Sequence, residues 1–174
     1  MTQIIKGLDP IYTPEEVKNI NKRLKKYDQP ERNEVESAPA KDAIKSARVF
    51  TVPCIDVMDI MNSFITSIRK CNGECFGFDL YEYYDLDHFN YNEYQPGEEY
   101  EWHADGTAEA ELPDMKLTCI LNLSEESYTG GDLSFNANDK IINNPVPGGV
   151  VIFPSFLLHK VSPVVGGKRI TLSY

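Results

Sequence analysis

The sequence predicts an α+β domain: two amphipathic helices, then a sandwich or barrel of short antiparallel strands. Three observations carry this. Apolar residues recur at helical spacing as far as residue 69. From Phe76 onward that period gives way to short strand-like runs. Turns rich in Gly, Pro, Asn and Asp separate those runs. Helices first and strands later put the helices on one face of a sheet. The 174 residues suit one domain spanning 1–174, with no internal repeat and no linker long enough to divide it.

The first helix starts at Thr13-Pro14-Glu15-Glu16. Thr13 is a cap, Pro14 suits the first helical position, and Glu16 completes a capping box. Val17, Ile20, Leu24 and Tyr27 then recur on one side. Gln29 to Lys41 is polar, holds Pro30 and Pro39, and reads as a loop. A second helix is expected from Cys54 to Arg69, with Ile55, Met58, Met61, Ile65 and Ile68 as its apolar face. Asn72-Gly73 is its expected stop. Strands are expected at Phe78–Leu80, Asp87–Tyr94, Tyr100–His103, Lys116–Leu123, Leu133–Phe135, Gly149–Phe153 and Arg169–Ser173.

Composition removes several function classes. The net charge of −10 repels a nucleic acid from most of the surface. The one dense basic stripe, Lys18 to Lys26, reads as a solvated helix face. No apolar run approaches a membrane span, and the N-terminus lacks the apolar core of a signal peptide. Of Cys54, Cys71, Cys75 and Cys119, only Cys71 and Cys75 are close, and no second pair completes a zinc site. They read as reduced thiols in a cytoplasmic protein, where Fe(II) would also persist.

The residues that carry chemistry are His103, Asp105, His159 and Arg169. His103 and Asp105 alternate as a strand would require to face one way. His159 follows the apolar run Val150-Val151-Ile152-Phe153 through Pro154-Ser155, a path that can return a second imidazole to the first pair. Two imidazoles and a carboxylate on one face of a metal describe the facial triad of non-haem Fe(II) oxygenases. Arg169 opens the last strand after the Gly166-Gly167 turn. A guanidinium buried there needs an anion, and a dicarboxylate co-substrate would supply one. Thr118, Ile120 and Asn122 alternate on the adjoining strand and should line that co-substrate, with Thr171 beside Arg169 and Leu133 as a wall. His88 reads as a surface or structural residue.

The ordered series resembles a known family. Tyr94-Gln95-Pro96-Gly97-Glu98-Glu99-Tyr100-Glu101-Trp102-His103-Ala104-Asp105 looks like the Y-x-x-G-x-x-Y-x-x-H-x-D signature of prolyl 4-hydroxylase-like 2-oxoglutarate oxygenases. Gly130-Gly131-Asp132-Leu133-Ser134-Phe135 resembles their G-G-x-L-x-F element. Phe153-Pro154-Ser155, His159, Pro163-Val164 and Arg169 follow in family order. Phe76-Gly77-Phe78-Asp79-Leu80 and the Tyr-x-Trp-His run look most like the bacterial and phage PKHD-type branch. The resemblance covers roughly residues 76 to 174.

The resemblance implies a double-stranded β-helix, a jelly roll whose open mouth holds Fe(II) on His103, Asp105 and His159. Arg169 would bind the far carboxylate of 2-oxoglutarate. Tyr94 would border the co-substrate and Tyr100 the substrate, although each alone reads as a core aromatic with a satisfied hydroxyl. Many relatives carry Tyr, Thr or Phe where this chain has Asn122, which leaves the pocket's second polar contact open. The implied activity is dioxygen-dependent hydroxylation of a C–H bond in a prolyl residue of a peptide or protein, with ascorbate as a reductant. Two other readings stand: an oxygenase acting on a free amino acid or small metabolite, and a non-catalytic jelly-roll binding module. The acidic loop Gly106 to Asp114 reads as a gate, with Glu109 and Glu111 drawing a basic peptide.

Overall fold

The computed structural model describes residues 5–29, 45–80, 88–106, 115–136, 140–142 and 146–174. Most of the expected polar loop, and the acidic stretch with Glu109 and Glu111, lie outside the described residues.

Helix α1, Pro14–Leu24, begins as its capping box requires. The Glu16 amide donates to the Thr13 hydroxyl at 3.3 Å, and the Thr13 amide donates to the Glu16 carboxylate at 2.8 Å. Two amides that a helix start would leave bare are thereby satisfied. Lys18, Lys22, Lys25 and Lys26 are exposed, so the basic stripe is a solvated face.

The second helix departs from expectation at both ends. Residues Cys54–Asp56 form a 3-10 turn, and the backbone breaks at Val57 (φ −133°, ψ 10°) before helix α2, Met58–Cys71. The helix then widens into a π-turn, Asn72–Phe76, and stops only at Gly77, in the left-handed region at φ 71°. The Asn72 amide explains the shift. Its Nδ2 donates to the Phe78 carbonyl at 2.7 Å, and its Oδ1 accepts the Phe78 amide at 3.0 Å. Both backbone groups of Phe78 are taken by one side chain. No strand forms at Phe78–Leu80, contrary to expectation, because a neighbouring strand would need those same groups.

Among the described residues the pairing pattern gives twelve strands: β1 Lys6–Leu8, β2 Arg48–Pro53, β3 His88–Tyr94, β4 Tyr100–His103, β5 Leu117–Asn122, β6 Thr129–Gly130, β7 Leu133–Phe135, β8 Lys140–Ile142, β9 Val150–Pro154, β10 His159–Val161, β11 Val164–Gly166 and β12 Arg169–Ser173. They assemble as a six-stranded sheet, β1-β9-β5-β12-β3-β2, a four-stranded sheet, β4-β10-β7-β8, and a two-stranded pair, β11-β6. Every pairing is antiparallel. Sequence spacing missed β1, β2, β6, β8, β10 and β11. All but β2 are two or three residues long, too short to show a period.

Alternation along the large sheet divides its faces. Phe89 and Tyr91 of β3, Cys119 and Leu121 of β5, Val150 and Ile152 of β9, and Ile170 and Leu172 of β12 pack with Val17, Ile20 and Leu24 of α1 and Met61, Phe64 and Ile68 of α2. The opposite face carries Tyr94, Val151 and Phe153, which pack on Leu133, Phe135 and Val161 of the smaller sheet. Two facing antiparallel sheets with helices behind one of them make an α+β double-stranded β-helix. The buried polar residues Asn92, Thr118, Asn122, Arg169 and Thr171 all fall on the face turned toward the second sheet.

One buried polar residue faces the other way, and it fastens α1 to the sheet. Asn21 Nδ2 donates to the Leu123 carbonyl at 2.8 Å and the Glu125 carboxylate at 2.9 Å, and its Oδ1 accepts the Tyr91 hydroxyl at 3.0 Å. Asn21→Leu would strand the Tyr91 hydroxyl and the Leu123 carbonyl, at a cost of about 1–3 kcal/mol. Urea unfolding should show that loss. Tyr91→Phe added to Asn21→Leu should cost less than Tyr91→Phe alone, because its hydroxyl has already lost its acceptor.

Candidate active site

His103 closes β4 and His159 opens β10, and the two are cross-strand partners. Pairing of β4 with β10 therefore brings together residues 56 positions apart in the chain. Asp105 does not continue β4, as alternation suggested. It lies in a bend held by the Ser155 carbonyl, which accepts the amides of Asp105 and Gly106, each at 3.0 Å. Ser155 is fixed in turn by its own hydroxyl, donating to the Met115 carbonyl at 2.6 Å. The Phe-Pro-Ser element thus places the carboxylate through backbone contacts that spacing alone does not reveal.

The three side chains converge. Asp105 Oδ1 lies 3.5 Å from His103 Nε2, and Oδ2 lies 3.5 Å from His159 Nε2. One ligand atom from each residue falls within 4.8 Å of the others. Each Nδ1 faces a backbone carbonyl, Glu101 at 2.7 Å and Leu157 at 2.8 Å. A carbonyl only accepts, so each Nδ1 carries a proton, and each Nε2 is the atom turned to the shared space. Burial lowers the pKa of His159 against the pull of Asp105, which favours the neutral ring. Burial raises the Asp105 carboxyl, but His103, His159 and Thr118 outweigh it and hold the pKa below the usual carboxylate value. Neutral imidazoles and an ionised carboxylate are the states a metal takes as ligands. Adjacent ligands with bonds of about 2.1 Å stand about 3 Å apart on an octahedral ion, so 3.5 Å needs only slight contraction. The cluster fits a divalent metal.

Thr118, expected to line the co-substrate, lies on the inner face of β5, where its hydroxyl donates to Asp105 Oδ2 at 2.6 Å and orients the carboxylate. Phe153 meets the His159 ring edge-on at a centroid distance of 4.8 Å, and Tyr100 stacks on His103 at 3.5 Å. The two imidazoles therefore have little freedom to turn.

Arg169 is 3% exposed, on the inner face of β12, and pairs in register with Tyr94 of β3. Lys168, its neighbour, turns outward and pairs with Glu93 at 2.9 Å. The Arg169 guanidinium lies 5.1 Å over the Tyr94 ring and hydrogen-bonds the hydroxyls of Tyr94 and Tyr128. Burial raises both phenols, and Arg169 offsets part of that rise. Arg169 Nε is buried without a partner among the described residues. An unpaired donor on a buried cation is a site prepared for an anion. Gly131 makes room for it: at φ 63° it takes a conformation other residues rarely adopt, and a Cβ there would stand 2.8 Å from Arg169 Cδ. Thr171 follows Arg169 on the same face and is the cross-strand partner of Asn122. Asn122 is buried, with Oδ1 accepting the Ser124 amide at 2.9 Å. Leu133 is buried in the core between the sheets. His88 is exposed at the start of β3.

Sequence reasoning missed two residues of this chamber. Tyr128 stands in a polar stretch before the Gly130-Gly131 turn, with no periodicity to mark it. Lys45 lies upstream of the recognised motifs and reaches the chamber through an isolated bridge to Tyr100. Its ammonium donates to Asn92 Oδ1 at 2.6 Å and lies 4.7 Å from the centre of the Tyr100 ring.

Comparison with known proteins agrees with this geometry. Residues 89–174 match the family described as the 2OG-Fe(II) oxygenase superfamily. A PKHD-type hydroxylase of Synechococcus sp. (strain CC9605) is 40% identical over 77 residues, 42% of this chain and 34% of the relative. Another from Herminiimonas arsenicoxydans is 36% identical over 89 residues, 46% of this chain and 39% of the relative. The aligned stretch thus spans well under half the length of these relatives. The backbone resembles the viral collagen prolyl hydroxylase of Paramecium Bursaria Chlorella virus-1 in its 2OG complex, with a TM-score of 0.71 at 15% identity, covering 98% of this chain and 94% of that one. It also resembles a Pseudomonas putida prolyl-4-hydroxylase, with a TM-score of 0.69 at 20% identity, covering 99% and 91%. At those identities the likeness speaks for the fold. The likeness to the 2OG-Fe(II) oxygenase superfamily thus lies in residues 89–174, just under half of the chain, and that stretch holds His103, Asp105, His159 and Arg169.

Proposed function

We propose that this protein hydroxylates a C–H bond of a prolyl residue in a peptide or protein, using Fe(II), 2-oxoglutarate and dioxygen within one domain. One observation carries the reading. A three-ligand cluster with both Nδ1 atoms occupied shares a chamber with a buried cation whose Nε has no partner among the described residues. The donor set suits Fe(II), and three protein ligands leave positions for a chelating co-substrate and dioxygen.

Fe(II) on these ligands would supply the oxidative chemistry, in which 2-oxoglutarate is converted to succinate and carbon dioxide as one oxygen atom enters the substrate. The chain's own residues do the rest. His103, Asp105 and His159 hold the metal, and Thr118 fixes the Asp105 carboxylate. Arg169 receives the far carboxylate of the co-substrate, with Tyr94 and Tyr128 orienting the guanidinium. Thr171, Asn122 and Leu133 wall the co-substrate. Tyr100 borders the substrate, held in place by its stack on His103.

The test is mass spectrometry of a proline-containing peptide library after incubation with protein, Fe(II), 2-oxoglutarate and ascorbate. A gain of one oxygen on proline, coupled to succinate release, supports the reading. Oxidation of free proline or another small metabolite, with every peptide untouched, overturns the substrate. No turnover of 2-oxoglutarate under any condition overturns the activity.

Three substitutions separate the roles. Thr118→Val leaves a buried carboxylate short of a donor and should weaken metal binding by about 10–100-fold, read by titration with Mn(II). Arg169→Ala should keep the metal and lose about 2–5 kcal/mol of 2-oxoglutarate binding, since the carboxylate is left buried and unpaired. Unchanged affinity would mean that another cation holds it. Tyr100→Phe should lower peptide hydroxylation while leaving 2-oxoglutarate affinity unchanged, which parallel steady-state and binding measurements would separate.

A further inference from the structure

We propose that Lys45 is a specificity residue that receives a carboxylate of the substrate, so that the preferred substrate is an acidic one. The inference rests on the proposed function and adds a chemical class to its substrate. It starts from where the ammonium lies. Lys45 Nζ stands 2.6 Å from Asn92 Oδ1, on the sheet face that also carries Tyr94, Arg169 and Thr171. It also lies 4.7 Å from the centre of the Tyr100 ring. The His103 imidazole, stacked at 3.5 Å, covers one face of that ring and leaves the other to the ammonium. Lys45 is thus separated from the metal ligands by the tyrosine assigned to the substrate.

Charge balance gives the second argument. A divalent metal, the Asp105 carboxylate, a dianionic co-substrate and the Arg169 guanidinium neutralise one another. The Lys45 ammonium is left over. No carboxylate lies within salt-bridge distance of it among the described residues. Its present contacts are one amide oxygen and one aromatic face, both weaker partners than an anion. Burial draws its pKa down to about 8, and Arg169 adds to the fall while Asp105 opposes it. The chamber therefore holds a cation at a cost that a second anion would remove. Arg169 already offers the co-substrate a guanidinium with a free Nε, so the substrate is the remaining source of that anion.

The carboxylate can come from an Asp or Glu side chain near the target proline or from a chain end. An array separates these sources. Its peptides carry proline flanked by Asp or by Asn at successive positions, each with a C-terminal acid or amide, and it includes N-acetylproline and its amide. Binding is measured to protein loaded with Fe(II) and 2-oxoglutarate in the absence of oxygen. At one position the acid should bind at least about tenfold more tightly than its amide. In Lys45→Met that ratio should fall close to one, while Lys45→Arg should retain most of it. The affinity of Lys45→Met for 2-oxoglutarate should stay within about threefold of the unaltered protein, as expected for a group outside the co-substrate site. Circular dichroism checks the fold, and Lys45→Gln replaces Lys45→Met if the latter unfolds.

An array with no bound member overturns the inference. So does an acid preference that is absent, or one that survives in Lys45→Met. A tenfold loss of 2-oxoglutarate affinity in Lys45→Met also overturns it, by assigning Lys45 to the co-substrate. Failure of the unaltered protein to bind metal and 2-oxoglutarate would overturn the proposed function and this inference together. Intact binding of both with no acid preference overturns this inference alone.

Discussion

The pairing of β4 with β10 is the constraint on which the rest of this site depends. His103 and His159 are cross-strand partners, so backbone hydrogen bonding sets their separation before any metal arrives. A slip of one residue would turn either imidazole to the opposite face of the sheet, where Trp102 and Lys160 now stack. Register at that position is held from outside the pair. β10 also pairs with β7, which sets His159 opposite Phe135. Phe135 and Phe153 then pack around the imidazole. Asp105 comes from a different device, the Ser155 carbonyl, in the turn that directly follows β9 of the other sheet. The cluster is therefore assembled across both sheets, and it reports their correct docking.

A second constraint is the polarity of one sheet face. The side of the large sheet toward the helices is apolar through its centre, where the Tyr91–Asn21 contact is satisfied, and turns polar at Arg48 and Glu93 at one end. The other side buries Asn92, Thr118, Asn122, Arg169 and Thr171 in a lane between the sheets. Such a lane costs stability unless each group finds a partner. Asn92 meets this by donating to the Asn90 carbonyl and the Ser173 hydroxyl, and Thr118 by bonding Asp105. The two cations, Arg169 and Lys45, are the incompletely met members. A core tuned only for stability would not retain them, and the helix-side face supplies the apolar burial that offsets them.

Much of this was legible in the chain, for a physical reason. His103, Asp105, His159 and Arg169 are fixed by strand and turn geometry, so their spacing carries information. Strands β3, β5, β9 and β12 show in the sequence within one residue of their ends, because each presents an uninterrupted run to the pairing, whereas β2, six residues long, was not read from the sequence. What stayed hidden depends on single side chains acting at a distance. Asn72 consumes the backbone of Phe78 and removes an expected strand. Ser155 positions Asp105 through its carbonyl, which no residue identity advertises. Thr118 had the right parity for the space between the sheets, but parity does not reveal that its hydroxyl reaches Asp105 across 13 positions of the chain.

The half of the chain before residue 89 bears on what the site can select. The family match begins at residue 89, so the His103–Asp105–His159 cluster and Arg169 all fall within it, whereas Lys45 and the two helices do not. Yet Lys45 bridges to Tyr100, and the Ser46 amide donates to the Glu99 carbonyl at 3.0 Å, so this segment lies along β4 beside the ligand His103. β2, which follows directly, pairs with β3 from His88 to Glu93 and brings Val49 opposite Asn92, the residue that holds the Lys45 ammonium. The matched half supplies the His103–Asp105–His159 cluster and Arg169, and the preceding half supplies an edge strand with a charge at its entry. Substrate choice lives in the parts that border a common centre. In this protein the border nearest Tyr100 is built from residues 45 to 53, where a single lysine changes the charge that an incoming substrate meets.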